Sequence, residues 1–414
     1  MDFSDILLFL KERDLTMVQY EREAYDAFLK DIGFSVAFPF VHIAGSNGKS
    51  SVANYLANIY RIAGYKVASF IKPFSHSPLE MTRINGEMMK EADFARIFSK
   101  FEGKIKEYKL TSFEIETFIS FVYFNENDVD LAIIECGMGG EKDATNVLDA
   151  TPLLSIITSV SLEHTKFLGD SVKEIAEHKA AIIKRGSKAL IGPLLIDAKK
   201  AVAKRVALMK AELFETESVE NAKYEAPYYH FDYGPYKGLM VPTSAYYEVT
   251  DASIALEAIK ILRLSLPVSL DAIQKGLLDK QLECRLERIK NVYIDGAHNP
   301  EAIEKTMESL ASVSSDKKIH VIFSSFKDKD VMKNISIIKR YVNDVTLTTF
   351  DNKRARGISD YPESVRNTYP FNSSYELAVN FLLVTYPSDP ILIIGSLEFA
   401  YRVRDYLKNV LKYG

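Results

Sequence analysis

A glycine- and serine-rich segment that contains one lysine lies between a short apolar run and an amphipathic stripe. The segment reads Gly45-Ser46-Asn47-Gly48-Lys49-Ser50-Ser51. Residues 40–44 before it predict a buried strand, and the stripe after it predicts a helix that ends at Gly64. Glycines let the backbone approach a polyphosphate, and the amides of a helix N-terminus favour its charge. Lys49 would contact the terminal phosphates and Ser50 or Ser51 would offer a hydroxyl to Mg²⁺, so the segment predicts a nucleoside triphosphate site.

The spacing of this loop differs from that of the full phosphate-loop motif. The full motif needs a glycine at position 43, where this chain has Ile43, so the loop is a shortened variant. A glycine turn with an incidental lysine is the alternative interpretation. The predicted strand before the loop and the predicted helix after it favour phosphate binding.

Two further polar residues follow predicted strands. Glu135 ends an apolar run and precedes a glycine-rich loop at 137–140, and His164 follows the next strand. Ligand sites of open α/β sheets lie at the carboxyl ends of the strands, so both side chains could project to the same edge. A glutamate and a histidine, with phosphate oxygens and water, form a workable shell for a divalent ion. A hydrogen-bonded structural histidine is the alternative, and the position of His164 at a strand end favours the metal.

Lys179 lies in the middle of an apolar helical stripe. Ser171 and Glu174 form a capping box that predicts the start of this helix. A lysine held among apolar residues is partly desolvated, which favours the neutral amine. Such an amine can capture CO₂ as a carbamate, an anion able to hold Mg²⁺. The alternative is a lysine whose ammonium snorkels into water, and on the residues alone this second interpretation is favoured.

A second turn with polar side chains stands at 295–300. Asn299 suits the N-cap of a helix and Pro300 its first position. A helix cap accounts for Asn299 and Pro300 but does not account for Asp295 and His298. We therefore expect Asp295 and His298 to face a ligand across a cleft between domains.

Composition limits the class of protein. The 414 residues predict two or three domains at about 150 residues each. Lys and Arg total 52 against 56 Asp and Glu, a net charge of −4, which lacks the basic footprint of a nucleic-acid binder. The two cysteines suggest a reducing compartment, and we find neither a signal peptide nor an apolar run long enough to span a membrane. These features predict a cytoplasmic protein, expected to be a monomer.

The predicted elements alternate between strands and helices, which indicates an α/β protein. Nearly continuous apolar runs predict strands of a parallel sheet at 40–44, 66–71, 129–136, 153–158 and 189–191. A tyrosine-rich segment at 224–247 predicts a β excursion, and helices follow at about 251–262 and 270–277. The strand pattern restarts at 292–295, 319–323, 345–349 and 391–394. We predict a first domain at 1–281 and a second at 282–414.

Taken in order along the chain, these segments resemble the Mur ligase superfamily and, within it, the folylpolyglutamate synthase/dihydrofolate synthase family. The matching segments lie at 41–49, 83–87, 135–147, 162–169, 174–180, 295–300, 328–330 and 395–397. Each segment is weak evidence alone, whereas the ordered set is specific. The resemblance implies a P-loop ATPase domain of the Mur ligase type and a smaller, Rossmann-like C-terminal α/β domain that closes over the cleft.

The resemblance also implies roles for individual residues. The implied catalytic residues are Lys179, His298 and Lys49. The implied ligands of Mg²⁺, of which two ions are expected, are Ser51, Glu135, His164 and a carbamylated Lys179. ATP would bind the whole loop from Gly45 to Ser51, with Asp251 at the adenine and Arg285 and Asp295 reaching the nucleotide from the second domain.

Several positions depart from the family pattern. Ser50-Ser51 replaces Gly-Ser after the loop lysine, and Asp251 replaces an asparagine that contacts adenine. The Thr-Ser-Pro-His stretch, whose serine binds the second Mg²⁺, is poorly matched by 72–78, where Ser75 and Ser77 are the candidates. Glu283-Cys284 replaces the Pro-Gly before Arg285.

The reaction implied by the resemblance is the ATP-dependent addition of L-glutamate to a folate, with dihydropteroate as a further acceptor. The substrate carboxylate would attack the γ-phosphate of ATP, and the amine of glutamate would then attack the acyl phosphate. The alternatives are another amino-acid ligase of the superfamily and a degenerate nucleotide-binding module without ligase activity.

Overall fold

The computed structural model of the protein describes residues 1–16, 21–72, 77–147, 150–279, 283–314, 317–342 and 344–412. The helices are α1 Phe3–Thr16, α2 Glu23–Asp31, α3 Lys49–Ile62, α4 Glu91–Glu107, α5 Ser112–Glu126, α6 Thr165–Leu168, α7 Val172–Ala180, α8 Ile196–Met209, α9 Tyr246–Leu262, α10 Leu270–Leu278, α11 Pro300–Val313, α12 Val331–Ile338, α13 Glu363–Arg366, α14 Tyr375–Thr385 and α15 Leu397–Lys412. Short 3₁₀ turns lie at Pro78–Met81 and Ile358–Asp360.

The strands form three sheets. They are β1 Phe40–Ala44, β2 Val67–Phe70, β3 Thr82–Ile84, β4 Glu87–Met88, β5 Leu131–Glu135, β6 Leu154–Ile157, β7 Lys188–Ile191, β8 Glu212–Glu215, β9 Glu220–Glu225, β10 Tyr228–Tyr233, β11 Tyr236–Val241, β12 Glu287–Ile289, β13 Val292–Ile294, β14 His320–Phe323, β15 Val345–Thr348, β16 Phe371–Asn372 and β17 Ile391–Ile394. The orders are β4-β3-β2-β5-β1-β6-β7-β8, β11-β10-β9 and β12-β13-β17-β14-β15-β16. Each strand of the predicted α/β pattern is therefore confirmed.

The largest sheet is parallel from β2 to β8 and adds β3 and β4 as an antiparallel edge. Strands β1, β5 and β6 lie at its centre and are buried along their whole length. This burial explains their continuous apolar sequence, because helices cover both faces of a parallel sheet. The carboxyl ends of these three strands carry the candidate site.

The tyrosine-rich β excursion is confirmed as the three-stranded sheet, but its predicted end is wrong. The prediction extended strand structure to Tyr247, whereas α9 already begins at Tyr246. Tyrosine favours strands locally, and tertiary contacts override such preferences. Here the hydroxyl of Tyr247 donates to buried Asp295, which holds the tyrosine in the first turn of the helix.

The structure divides into two compact units. The first comprises Met1–Glu220, Asp232–Leu239 and Asp251–Lys280, and the second comprises Asn221–Phe231, Met240–Thr250 and Gln281–Gly414. The domain limits of 1–281 and 282–414 stay a prediction, and the second unit also takes two segments from before residue 251. Within the described ranges, no helix has the length and apolar character needed to cross a bilayer.

Candidate active site

The phosphate loop connects β1, at the centre of the first unit's sheet, to the N-terminus of α3. Gly48 caps α3 with a φ of +82°, a conformation in which glycine is favoured because it has no Cβ. A Cβ there would lie 2.3 Å from Oδ1 of Asp251, so the carboxylate packs directly on the loop. The strand, loop and helix predicted around Lys49 are confirmed, and Asp251 lies beside them.

Hydroxyl groups that follow β6 fix the shape of the loop. Thr158 Oγ1 donates to the carbonyl of Asn47 at 2.6 Å, and the amide of Asn47 donates to Ser159 Oγ at 2.8 Å. The amide of Ser161 donates to Ser46 Oγ at 2.9 Å. Sequence reasoning missed these supports, although a run of hydroxyl residues directly after a predicted strand was a signal for them.

Lys49 folds back over the loop. Its Nζ donates to the carbonyls of Gly45 and Ser46 at 2.8 and 3.2 Å. The amine therefore lies against the backbone of the loop. The contact between Lys49 and a terminal phosphate stays a prediction.

Glu135 ends β5 and is buried, with 4% of its surface exposed. The hydroxyl of Ser50 lies 3.0 Å from Oε1 of Glu135 and 2.8 Å from the carbonyl of Lys72. The amide of Lys72 donates to the other carboxylate oxygen at 3.0 Å. Ser50 is thus a loop serine in contact with the candidate metal carboxylate, and Ser51, like Ser50, is buried in the first turn of α3. The assignment of Ser51 as a metal ligand stays a prediction.

Lys179 is 1% exposed, so the alternative in which its ammonium snorkels into water is wrong. The capping box of Ser171 and Glu174 is confirmed at the start of α7, which carries Lys179. The Nζ of Lys179 donates to Oε1 of Glu163 at 2.6 Å. Burial lowers the pKa of Lys179, against the opposite effect of the Glu163 charge. The helix therefore holds the amine inside the unit, in contact with one carboxylate.

Glu163 is the site residue that sequence reasoning missed. Burial raises the pKa of this carboxyl, but the positive charges of Lys179, Lys49 and His164 outweigh burial and lower it overall. Its second oxygen lies 4.0 Å from Nε2 of His164. Glu163 thus connects three of the predicted site residues, and an acidic residue directly before His164 was the available signal.

His164 has a strained backbone. It adopts the left-handed conformation, with φ of 46° and ψ of 35°, at the start of α6. For a residue other than glycine this conformation costs of order 1 kcal/mol and is common at functional sites. The side chain is 38% exposed, so one face of the imidazole is accessible. An accessible ring beside Glu163 suits a metal ligand better than a buried structural histidine.

The donor atoms of this region fit a hard divalent ion, since Glu135 and Glu163 provide carboxylate oxygens and Ser50 a hydroxyl. Within the described ranges, no three histidine, cysteine or acidic side chains already converge to hold a metal. Ser77 caps the turn at Pro78–Met81 by accepting from the amide of Leu79. Ser75, the other candidate for the second ion, lies outside the described residues.

Asp295 directly follows β13 of the second unit and is buried. It accepts hydrogen bonds from the amides of Leu286 and Ala297, each at 2.8 Å, and from the hydroxyl of Tyr247. Burial raises the pKa of Asp295, while Tyr247 and the charge of Arg285 oppose this shift. Both oxygens therefore organise the unit itself, and the roles of Asp295 and Arg285 at a nucleotide stay predictions.

The turn after β13 starts α11 as predicted. Asn299 caps the helix by accepting from the amide of Ala302, and Pro300 is its first residue. Nδ1 of His298 lies 3.0 Å from the carbonyl of Gly296, which orients the ring. This contact lies within the second unit, so the position of His298 near phosphates stays a prediction.

One prediction concerns the buried pair of Glu163 and Lys179. Glu163→Gln is expected to lower the free energy of unfolding by about 3 kcal/mol, because the substitution leaves the buried amine without its counter-ion. Urea denaturation at neutral pH in CO₂-depleted buffer measures the change. Glu141→Gln is the matched control, since Glu141 is 57% exposed and pairs with His178 at 2.9 Å. An exposed pair contributes at most about 1 kcal/mol, so equal losses in the two variants would contradict the buried pair.

Comparison with known proteins places these features in one family. Residues 43–234 match the Mur ligase middle domain, and residues 284–397 match the Mur ligase glutamate ligase domain. A folylpolyglutamate synthase from Lacticaseibacillus casei is 30% identical over 387 residues, which cover 89% of this chain and 90% of that protein. A dihydrofolate synthase/folylpolyglutamate synthase from Bacillus subtilis is 29% identical, with 89% and 90% covered.

Solved structures agree with the sequence comparison. The apo form of the L. casei folylpolyglutamate synthase is 27% identical and has a TM-score of 0.84, covering 99% of this chain and 100% of that one. A folylpolyglutamate synthase in complex with AMPPCP and folate is 26% identical and has a TM-score of 0.85, covering 98% and 100%. The chain therefore belongs to the folylpolyglutamate synthase/dihydrofolate synthase family of Mur ligases and is an ATP-dependent, amide-forming ligase.

Proposed function

We propose that the protein joins L-glutamate to the carboxyl group of a folate, with ATP as the phosphoryl donor. The observation that carries the proposal is the buried Lys179–Glu163 pair, close enough to the phosphate-loop Lys49 for the charge of Lys49 to lower the pKa of both partners. Nucleotide binding alone does not require a buried amine such as that of Lys179 near the phosphate loop. The named relatives, folylpolyglutamate and dihydrofolate synthases, support a folate as the acceptor.

The chemistry explains why such a ligase needs a phosphate loop. A carboxylate is a poor electrophile because charge and resonance oppose attack on its carbon. In the proposed reaction a carboxylate oxygen of the folate attacks the γ-phosphorus of ATP, and the bond to the β-phosphate oxygen breaks, giving an acyl phosphate and ADP. The neutral amine of glutamate then attacks the acyl carbon, phosphate leaves with the bonding electrons, and the nitrogen loses one proton to solvent as the amide forms. Lys49 and the amides at the start of α3 hold the phosphates during the first step.

Mg²⁺ completes the proposed site. Glu135, His164, Ser51 and the carbamate of Lys179 would hold the ion or the expected pair of ions, and Ser50 orients Glu135. When bound, Mg²⁺ neutralises charge on the phosphates. The buried carboxylate of Glu135, already in contact with a hydroxyl of the phosphate loop, is the observation that supports this assignment.

Lys179 is proposed to act as a carbamate. Burial favours loss of its proton. The neutral amine then attacks the carbon of CO₂, an N–C bond forms, one C=O π bond opens and a second proton leaves the nitrogen. The product carries one negative charge where the ammonium carried one positive charge, so Glu163 would turn from the partner of Lys179 into a neighbour that repels it. Binding of a divalent cation by the carbamate would offset this repulsion.

The test is ADP release by the purified protein in the presence of a reduced folate, L-glutamate, ATP and Mg²⁺. We expect turnover that stops when any one component is omitted, because the acyl phosphate needs both the acceptor carboxylate and the donor. Turnover that continues without folate would reject the proposal. Dihydropteroate in place of folate tests the second acceptor, and peptidoglycan precursors test the rival ligase of the same superfamily. The cytoplasmic, monomeric state without nucleic-acid or membrane partners stays a prediction.

A further inference from the structure

A buried hydrogen-bond chain runs from the strand before the phosphate loop to the loop after Glu135. Nε2 of His42, in the middle of β1, lies 2.8 Å from Oγ1 of Thr145. Oγ1 of Thr145 donates to Oδ1 of Asp143 at 2.6 Å. All three side chains are at least 97% buried. The mechanism proposed above uses none of them.

The direction of these hydrogen bonds can be assigned. A hydroxyl has one proton, and the 2.6 Å contact with Oδ1 of Asp143 takes it in preference to the 3.6 Å contact with Sγ of Cys136. Thr145 therefore accepts from His42, whose Nε2 carries the ring proton. Burial, with the nearby charges of Lys184 and Arg22, lowers the pKa of His42 to about 3, so the imidazole is neutral in the physiological range. Nε2 also lies 3.1 Å from Sγ of Cys136, the residue after Glu135.

Asp143 in turn organises the glycine-rich loop. Its Oδ2 accepts from the amide of Met138 at 2.7 Å, and its Oδ1 accepts from the amide of Thr145 at 3.0 Å. Asn146 closes the same loop, since its Nδ2 donates to the carbonyl of Gly140 at 2.8 Å. Arg22 donates from Nη1 to the carbonyls of Asp143 and Asn146. Hydrogen bonds of Asp143, Asn146 and Arg22 thus hold the backbone of the loop at 137–146 at several points.

This loop adjoins two elements that carry proposed metal ligands, namely β5 with Glu135 and α7 with Lys179. It begins two residues after Glu135. At Gly140 its backbone lies against α7, because a Cβ there would be 2.8 Å from the carbonyl oxygen of His178 and 3.0 Å from that of Lys179. The loop therefore connects the end of β5, which carries Glu135, with the backbone of α7, which carries Lys179.

We propose that His42, Thr145 and Asp143 are positioning residues for the divalent-ion site, acting through the loop at 137–146 and without touching a substrate. The inference rests on the proposed function, because it concerns the same Mg²⁺. Loss of a direct hydrogen-bond partner of a metal ligand typically costs 10- to 100-fold in affinity or activity, and an effect that acts through the loop is expected at the lower end of this range. The expected signature is weaker metal binding with little loss of rate once the metal saturates.

Thr145→Val tests this inference, since valine keeps the shape and removes the hydroxyl. Thr117→Val is the matched control, because Thr117 is also fully buried in the first unit and its hydroxyl has no hydrogen-bond partner among the described residues. Electron paramagnetic resonance measures Mn²⁺ binding in the presence of AMPPCP, and ADP release is followed as a function of Mg²⁺. We expect Thr145→Val to raise the Mn²⁺ dissociation constant and the Mg²⁺ requirement about ten-fold. Its kcat at saturating Mg²⁺ should stay close to that of the control, and Thr145→Ser should restore binding.

The outcomes separate the two proposals. If the unchanged protein binds Mn²⁺ and turns over, while Thr145→Val binds Mn²⁺ as Thr117→Val does, the positioning proposal is overturned alone. A wild-type chain that neither binds Mn²⁺ nor releases ADP overturns the proposed function and the positioning proposal with it. If Thr145→Val does not fold, His42→Gln and His42→Leu make the same comparison. Glutamine can still donate to Thr145 and should keep Mn²⁺ affinity, whereas equal affinity of the leucine variant would contradict the inference.

Discussion

Lys179→Ala is expected to abolish detectable ligation, with a fall in rate of roughly 10²–10³ or more, while the fold stays largely intact. The side chain is 1% exposed and its amine donates to Glu163, so alanine removes the amine that this helix holds inside the first unit. Alanine keeps α7 helical because it has the highest helix propensity. Far-ultraviolet circular dichroism checks the fold, and ADP release with folate and glutamate checks the reaction.

Chemical rescue identifies what Lys179 contributes. Short carboxylates such as formate or acetate should restore part of the activity of Lys179→Ala, because they can occupy the place of the carbamate. A ¹³C nuclear magnetic resonance signal from ¹³CO₂ should be present in the wild-type protein and absent from the variant. Lys173→Ala is the matched control, since Lys173 is an exposed residue of the same helix. Full activity of Lys179→Ala without any added carboxylate would refute the carbamate.

The features that the sequence predicted well are those that local chemistry determines. The phosphate loop and the cap at Asn299 depend on residues within one turn of each other, and their residue types have few other uses. The strands at the sheet centre were predictable because burial on both faces demands a continuous apolar run. In each case residues that are neighbours in the chain carry the signal, although Thr158, Ser159 and Ser161 also hold the folded loop.

The features that the sequence did not show depend on distant partners. Glu163 and Lys179 are 16 residues apart, and only the packing of α7 against the end of β6 brings them together. The contact of Ser50 with Glu135 joins residues 85 positions apart, so the local sequence does not reveal it. The burial of Lys179 also depends on Gly140, whose missing side chain lets the loop approach α7.

Asp295 shows a second reason why the sequence alone does not reveal every role of a residue. A carboxylate at a strand end is a reasonable candidate for a ligand, and the sequence offered no competing partner for it. In the structure, Leu286, Ala297 and Tyr247 all donate to this carboxylate. Tyr247 precedes Asp295 by 48 residues, so this hydrogen bond was not visible in the local sequence. A strand-end acid can therefore organise its own domain even where a ligand role is also expected.

Lys49→Met is expected to weaken ATP binding and to lower turnover by roughly 10²–10³, because methionine keeps an unbranched, slightly shorter side chain and removes the charge proposed to meet the terminal phosphates. The backbone of the phosphate loop cannot easily shift to compensate for the lost charge. A Cβ at Gly45 would lie 1.9 Å from Oγ1 of Thr158, which shows how tightly the loop packs on the residues that support it. Isothermal titration calorimetry with AMPPCP measures the dissociation constant, and ADP release measures the rate.

Lys90→Met is the matched control, since Lys90 is an exposed lysine at the N-cap of α4, where no phosphate loop stands. Equal AMPPCP affinity in the two variants would reject the phosphate site. Lys49 also acts on its neighbours, because its charge lowers the pKa of both Lys179 and Glu163. Its removal should raise the pKa of Lys179, leave less of the neutral amine and so weaken the carbamate signal. Lys179→Ala, by contrast, should still bind AMPPCP, so the pair of variants separates nucleotide binding from the chemistry that follows it.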